Sequence, residues 1–189
     1  MDRMKIVRGR GPLWLALACL LLSGVPTRAE PLPAALAEAL PAAEFRGMAT
    51  ARWFGIPLYD AALWVDRAMP AGAVDYSVPF VLRLQYARAI PGRAIADASR
   101  EEIARLKAAT PEQLAQWHAR MLAAFPDVEA GTELAGMHIP GVGMRLFQNG
   151  VPRAELPGED FSRAFFGIWF DPRTRNADVR ARLLATGAP

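Results

Sequence analysis

The sequence predicts an α+β domain in which helices cover one side of an antiparallel sheet. Residues 76–90 alternate their apolar side chains with a period of two, which is typical of a strand with one apolar face. Asn149-Gly150 is a strong hairpin signal, because a type I′ turn needs positive φ at both central positions. Residues 110–125 and 160–170 instead repeat apolar side chains at helical spacing. When such helices pack on one face of such a sheet, the apolar side chains of both are buried.

The first 29 residues have the pattern of a secretory signal peptide. A basic segment, residues 1–10, precedes an apolar run of thirteen residues from Leu13 to Val25. Pro26 breaks the run, and a small-residue cleavage site ends at Ala29. The run is shorter than the ~20 residues that a membrane-spanning helix needs. We therefore expect cleavage after Ala29, a periplasmic or secreted protein, and no membrane span in the mature chain.

Removal of this segment changes the charge and the cysteine content. Residues 1–29 hold five of the 22 basic and one of the 19 acidic residues, so the net charge falls from +3 to −1. No basic block remains that would favour nucleic-acid binding. The single cysteine, Cys19, lies inside the apolar run, whereas a lipidated cysteine should close it. The mature chain is therefore predicted to have no disulfide, thiolate metal site or cysteine nucleophile.

About 160 residues remain, a common size for one domain. Residues 30–45 are predicted as an N-terminal linker or a short helix over 34–40, and residues 46–189 as the folded domain. Within that domain, residues 46–66 are rich in bulky apolar side chains and predict two strands around the break at Gly55-Ile56-Pro57.

Two central helices are predicted after the strand at residues 76–90. Ser99 to Glu102 has the spacing of a capping box, in which a serine or threonine caps a helix and a residue three positions later reaches back. Thr110, Pro111 and Gln113 give the second helix the same signature, with proline at its first position. An apolar stripe then continues to Pro126, which ends the helix.

The aromatic stretch at residues 161–170 is predicted as a helix that Asp160 caps. Four of its apolar residues fall at i, i+4, i+7 and i+8, on one helical face: Phe161, Phe165, Ile168 and Trp169. Gly167 is expected to let this helix approach the sheet closely. The aromatic face suits either a plain core or the wall of a ligand cleft.

Four stretches occur in an order that is specific in combination: GIPLYDAALWVD at 55–66, LRLQYARAIPGRAIADAS at 82–99, FPDVEAGTEL at 125–134, and the run at 149–174 that contains FFGIWFDPRT. Together they resemble the bacterial chalcone isomerase-like proteins, a secreted branch of the chalcone isomerase fold. The resemblance implies an open-faced β-sandwich, with a large antiparallel sheet, a covering layer of helices, and a ligand cleft between them.

The resemblance does not extend to isomerase chemistry. Plant chalcone isomerases place a Tyr, a Lys and an Asn in the strand-helix region. With Gly92 as the anchor, the Tyr position falls on Ile95, the Lys near Ala98 and the Asn near Glu102. An isoleucine cannot donate the hydrogen bond that stabilises developing charge. We therefore predict no catalytic residues, and the family likeness leaves an isomerase of altered chemistry as the third-ranked alternative.

Plastid relatives with this fold bind fatty acids, and an Arg and a Tyr on early strands hold the carboxylate. The resemblance implies that this arginine is Arg52 or Arg46. Tyr59 matches a position near the one where the plant isomerases have a threonine on a strand, and it keeps a hydroxyl group. The leading hypothesis is therefore a non-catalytic binder of an amphiphilic acid such as a fatty acid. The predicted ligand-binding residues are Arg52, Tyr59, Arg83, Tyr86, Phe165 and Trp169.

Two alternatives to ligand binding remain open. In the first alternative, Arg52 forms an ion pair with Asp60 that links the two strands of the hairpin, and no ligand binds. A partly buried cation needs such a counter-charge. In the second alternative, the protein is a periplasmic structural or partner-binding module with a closed cleft, and its protein partner is unknown. His118 and His138 lack metal-ligand spacing, so neither a metal site nor any other cofactor is predicted.

Overall fold

The computed structural model describes residues 32–67, 69–70 and 72–185 of the chain. The predicted signal peptide, its cleavage site and Cys19 lie outside the described residues. No helix within the described part is long and apolar enough to cross a membrane.

Within the described residues, six antiparallel strands form one sheet, and each strand pairs with the next along the chain. The strands are β1 (Ala43–Trp53), β2 (Ile56–Asp66), β3 (Phe80–Tyr86), β4 (Glu133–Ile139), β5 (Gly143–Gln148) and β6 (Val151–Pro157). The helices of the described residues are α1 (Ala34–Ala39), α2 (Gly92–Arg105), α3 (Pro111–Ala124), α4 (Glu159–Phe170) and α5 (Ala177–Leu183). The predicted α+β class, with an antiparallel sheet and a layer of helices, is confirmed.

Side chains alternate along each strand, so neighbouring residues pack on opposite faces of the sheet. The cluster on one face is much larger than the cluster on the other. On β3, Phe80, Leu82, Leu84 and Tyr86 all join the large core under the helices. The intervening Val81 instead joins a smaller cluster on the opposite face, which also contains Leu36 and Leu40 around α1. Residues 34–39 thus form a helix that is packed on the sheet, and β1 begins at Ala43.

The β1–β2 and β5–β6 hairpins have the same turn conformation. Asn149 and Gly150 have φ angles of 49° and 76°, as a type I′ turn requires, and the hairpin that this pair predicts is confirmed. In the first hairpin the corresponding angles are 47° and 79°, but Phe54 stands where the second hairpin has asparagine, followed by Gly55.

Helix α3 starts as the sequence predicts, and α2 does not. Thr110 and Gln113 form the reciprocal capping box of α3. Helix α2 begins at Gly92 rather than near Ser99, and Ser99 Oγ donates inside the helix to the carbonyl of Ile95 at 2.8 Å. The Gly92 N–H is satisfied by Asp127 Oδ1 at 2.8 Å, so the capping group comes from a residue distant in sequence.

The predicted roles of two residues in α4 are also wrong. Asp160 lies inside the first turn, and Gly158, with φ of 109°, precedes the helix without a side-chain cap. A Cβ on Gly167 would meet nothing within 4 Å, so this glycine is not where helix and sheet approach. The close contact is at Gly136 on β4, where an added Cβ would lie 3.1 Å from the Phe166 ring.

At one end, the core between sheet and helices is filled with aromatic rings. Phe80 packs edge-on against Phe166 at 4.8 Å and stacks on His138 at 4.9 Å between ring centroids. His138 is fully buried, with Nε2 2.9 Å from the Tyr76 carbonyl and Nδ1 2.8 Å from Ser162 Oγ. A carbonyl can only accept, so Nε2 carries the proton and Nδ1 accepts from Ser162. Burial lowers the pKa of His138 and keeps the ring neutral.

Candidate functional site

At the other end, the same core is hollow. A cavity of about 580 Å³ lies between the sheet and helices α2 and α4, within the ~300–1,000 Å³ typical of ligand pockets. Six of its lining residues are exposed at the surface: Arg52, Trp53, Ala94, Ala98, Arg175 and Asn176. Its lining residues are Ala51, Arg52, Trp53, Leu58, Tyr59, Leu82, Leu84, Tyr86, Ile90, Ala94, Ile95, Ala98, Ser99, Glu102, Phe125, Leu134, Gly136, Leu146, Phe165, Phe166, Ile168, Trp169, Arg175 and Asn176.

The cavity is apolar along the sheet and polar near the β1–β2 hairpin. Tyr86 begins the polar part, and Leu84 and Leu82 continue along the same face of β3. The four residue steps from Tyr86 to Leu82 span roughly 13 Å, so this face of β3 is long enough for part of an extended acyl chain. Phe165 and Trp169 of α4 form part of the roof, with ring centroids 5.5 Å apart.

Tyr59 and Tyr86 place two hydroxyl groups in the polar part. They are cross-strand partners, and their rings lie 5.8 Å apart. Trp169 Nε1–H donates to Tyr59 Oη at 3.1 Å, and because Tyr59 Oη accepts this bond, its own hydrogen remains available to a ligand. The Tyr86 hydroxyl has no protein hydrogen-bond partner within the described chain. Burial raises the pKa of both tyrosines, so both remain neutral donors at ordinary pH.

Arg52 lies at the margin of this polar part because β1 is irregular there. Ala51 pairs with Tyr59 and Arg52 with Pro57, so the register shifts between the two residues. In a regular strand Ala51 and Arg52 would face opposite sides, whereas here both line the cavity. Arg52 therefore lines the cavity together with Tyr59, even though the residue directly opposite Tyr59 on β1 is Ala51.

Arg52 has no carboxylate within 4.0 Å among the residues that the structure describes. Its Nη1 donates to the Gly55 carbonyl at 3.2 Å, and the side chain is otherwise exposed. Asp60 accepts a hydrogen bond from Thr50, its register partner. The alternative in which Arg52 pairs with Asp60 is therefore wrong.

The other charged groups of the cavity neutralise one another. Glu102 lies 3.1 Å from Arg175 and 2.8 Å from Arg105, and its side chain is largely covered. Glu102 and Arg175 both line the cavity, but the carboxylate already has two cationic neighbours. Arg52 is thus the lining cation that has no acidic partner in the described chain.

The two other candidate arginines lie away from the cavity. Arg83 is buried on the opposite face of the sheet, 4.9 Å above the Trp64 ring and 3.4 Å from Glu133. Its predicted place among the ligand-binding residues therefore does not agree with the structure, because strand alternation turns it from the cavity. Arg46 donates to the carbonyls of residues 69 and 70. Of Arg46 and Arg52, only Arg52 lines the cavity.

The positions that the resemblance assigned to catalysis all border the cavity. Ile95, Ala98 and Glu102 lie on one face of α2 and line it. Ser99 completes this face, and its i, i+4 spacing from Ile95 is a signal that could have been read from the sequence. Arg175 belongs to the loop before α5, where no periodic pattern indicates which way a side chain points.

The two histidines are engaged in structural contacts. His118 Nε2 lies 2.7 Å from Asp97 Oδ1 and joins α3 to α2, while His138 belongs to the aromatic end of the core. No group of three or more metal-ligating side chains occurs within the described residues.

The comparisons with known proteins identify the family. The family model described as chalcone isomerase-like matches residues 42–185. The chain belongs to the chalcone isomerase-like family. The structure is similar to the crystal structure of a fatty-acid binding protein of Arabidopsis thaliana, with a TM-score of 0.58, 13% sequence identity, and coverage of 76% of this chain and 87% of the other. A search of curated proteins finds no match.

Membership of the chalcone isomerase-like family agrees with the cleft that the resemblance implies. The distant structural likeness shows the common fold, in which helices cover one side of an antiparallel sheet. The cavity lies between these two layers and opens at the protein surface.

Proposed function

We propose that this chalcone isomerase-like protein is a non-catalytic binder of a small amphiphilic acid, such as a fatty acid. The observation that carries the proposal is Arg52, a cation without a carboxylate partner in the described chain, at the margin of a long apolar cavity. The acid head group would accept hydrogen bonds from Arg52, and the tail would lie over Leu84 and Leu82 beneath Phe165.

The energetics suit a long-chain ligand. Each buried CH₂ group contributes roughly 0.8 kcal/mol of transfer free energy. A hydrogen bond to a charged group contributes roughly 1.5–3 kcal/mol. Tyr59 and Tyr86 add neutral hydroxyl donors that bind a carboxylate without introducing charge. The tail therefore supplies most of the affinity, and Arg52 selects an acidic head group.

An isomerase of altered chemistry receives less support. Ile95 and Ala98 are apolar, whereas the resemblance matches them to hydrogen-bond donors of the plant chalcone isomerases. Glu102 adds a carboxylate, which is already paired with two arginines, rather than a donor. Stabilisation of a developing oxyanion needs donors that are already in place. The likeness to a protein named as fatty-acid binding is a further argument for binding over turnover.

Export is part of the same proposal. A basic segment, a short apolar run and a small-residue site at Ala29 are the features that signal peptidases recognise. We propose that the mature protein begins at Glu30 and acts in the periplasm or outside the cell, as the secreted branch of the family does. N-terminal sequencing of the protein from its native host tests this, and retention of Met1 would contradict it.

A titration with palmitate tests the binding proposal. Arg52→Gln should weaken binding about 10- to 100-fold, because the charge-assisted bond is lost. Its melting temperature should hardly change, since Arg52 has no ion pair to lose. Arg100→Gln, a change at an exposed arginine of α2 that does not line the cavity, is the matched control and should bind normally. Failure of the wild type to bind micromolar palmitate would exclude the proposal, and turnover of chalcone would replace it with an isomerase.

A further inference from the structure

The tip of the β1–β2 hairpin exposes three large apolar side chains to solvent. Trp53 is 63% exposed, Phe54 88% and Ile56 50%. We call these three residues the apolar tip. Trp53 and Ile56 are register partners at the end of the two strands, and Phe54 follows Trp53 in the turn itself. The tip is therefore a compact, convex group of side chains at one end of the sheet.

The stability of the hairpin does not explain Phe54. Its φ of 47° lies in the left-handed region, which is unfavourable for a bulky side chain and favourable for asparagine or glycine. The β5–β6 hairpin of the same protein has Asn149 at the equivalent position with φ of 49°. Phe54 packs on the neighbouring Trp53 ring, 5.1 Å between centroids, and is otherwise in solvent. Phe54 therefore carries local strain and contributes little packing within the protein. This combination points to a contact with something other than this chain.

The apolar tip is continuous with the cavity. Arg52 and Trp53, which precede Phe54 directly, both line the cavity. A ligand that entered beside the hairpin would pass from the tip to Arg52 and then to the apolar floor. The tip therefore stands directly beside the cavity, in a position to receive a water-insoluble ligand.

We propose that the apolar tip docks on the surface of a lipid bilayer and that the amphiphilic acid passes directly between the bilayer and the cavity. This inference rests on the proposed function and adds the source from which the ligand comes. Tryptophan and phenylalanine suit the boundary between head groups and acyl chains, where an amphipathic ring is stable. Arg52 at the base of the tip is placed to contact anionic head groups.

The size and shape of the tip favour a bilayer over a protein partner. Aromatic side chains expose roughly 150–250 Å² each when fully accessible, so the three residues together offer on the order of 400 Å². A stable protein interface needs about 800 Å² from each partner. A convex tip of half that area can insert into a soft lipid surface, and the strand pairing between Trp53 and Ile56 already satisfies backbone groups there.

Co-sedimentation with vesicles of phosphatidylcholine and phosphatidylglycerol tests this proposal. Phe54→Asn replaces the apolar ring with the residue that the turn prefers, so the melting temperature should stay the same or rise. The partition coefficient for the vesicles should fall about tenfold or more. Val151→Asn, at another exposed apolar residue beside the second hairpin, is the matched control and should leave partitioning unchanged.

The remaining outcomes decide between the alternatives. If Phe54→Asn sediments with vesicles as the wild type does, or the wild type does not sediment at all, bilayer docking is wrong. Loss of a dimer in the Phe54→Asn variant, seen by sedimentation velocity without any vesicle binding, would assign the tip to a second copy. Palmitate binding in solution is measured in parallel. If it is absent while vesicle binding depends on Phe54, docking stands and the proposed function fails.

Discussion

The core between the sheet and the helices is solid at one end and hollow at the other, although one helix serves both. From α4, Phe166 and Phe170 pack against Phe80 at the solid end. Phe165 and Trp169 of the same helix roof the cavity. Aromatic content therefore does not distinguish a core from a ligand-binding wall. Aromatic neighbours do not decide it either, because Phe165 also packs on other aromatic rings. The difference is that Phe165 and Trp169 also border a cavity that is lined by two tyrosines and an arginine.

The largest expected difference between the two ends concerns stability. Phe80→Ala should cost about 3–5 kcal/mol of unfolding free energy, because a fully buried ring with several aromatic neighbours leaves a cavity that cannot collapse. Phe165→Ala should cost at least about 1 kcal/mol less, since its ring already borders an open space. Chemical denaturation of the two variants measures both values. Equal costs would mean that the cavity is closed in solution.

The next effect is a pH dependence that arises at the solid end. Because burial lowers the pKa of His138, the unfolded chain takes up a proton on this residue at higher pH than the folded chain does. Stability should therefore be complete above the ordinary histidine pKa of about 6.5 and fall below it, by up to about 1.4 kcal/mol per pH unit. His138→Gln should flatten the dependence between pH 7.5 and about 5.5. An unchanged slope in denaturation curves would assign the dependence to other groups.

A large side chain introduced into the cavity should have the smallest effect on stability. Its effect on ligand binding should be large. Ala98 is exposed on α2 at the mouth of the cavity, so Ala98→Trp should change the unfolding free energy by less than about 1 kcal/mol. The indole should occupy the part of the cavity beside α2 and weaken palmitate binding. Isothermal titration measures this, with Arg100→Trp as the control on the same helix. Normal binding by Ala98→Trp would place the ligand elsewhere.

The sequence predicts the features of this fold that depend on neighbouring residues. The Asn149-Gly150 turn and the capping box at Thr110 are local, and both have the predicted geometry. The start of α2 does not follow from local sequence, because its free N–H group is satisfied by Asp127 from beyond α3. The close contact of α4 with the sheet depends on Gly136, another residue distant in sequence.

The candidate site is only partly predictable for the same reason. Strand alternation implies that Arg83 and Tyr86 face opposite sides, but not which side carries the cleft. The position of Arg52 depends on a register shift after Ala51, and no sequence pattern indicates this shift. That irregularity separates Arg52 from Asp60 and turns it towards the cavity. The aromatic stretch at 161–170 predicts a buried helix without indicating which of its rings border empty space.

A crystal structure with an ω-bromo fatty acid tests the central claim most directly, because anomalous scattering locates the bromine independently of the acyl chain. We predict a bromine peak inside the cavity, between the β3 leucines and the roof of α4, and a carboxylate within about 3.2 Å of the Arg52 guanidinium. A bromine peak near Arg52 with the carboxylate pointing away, or no peak in the cavity, would contradict the account.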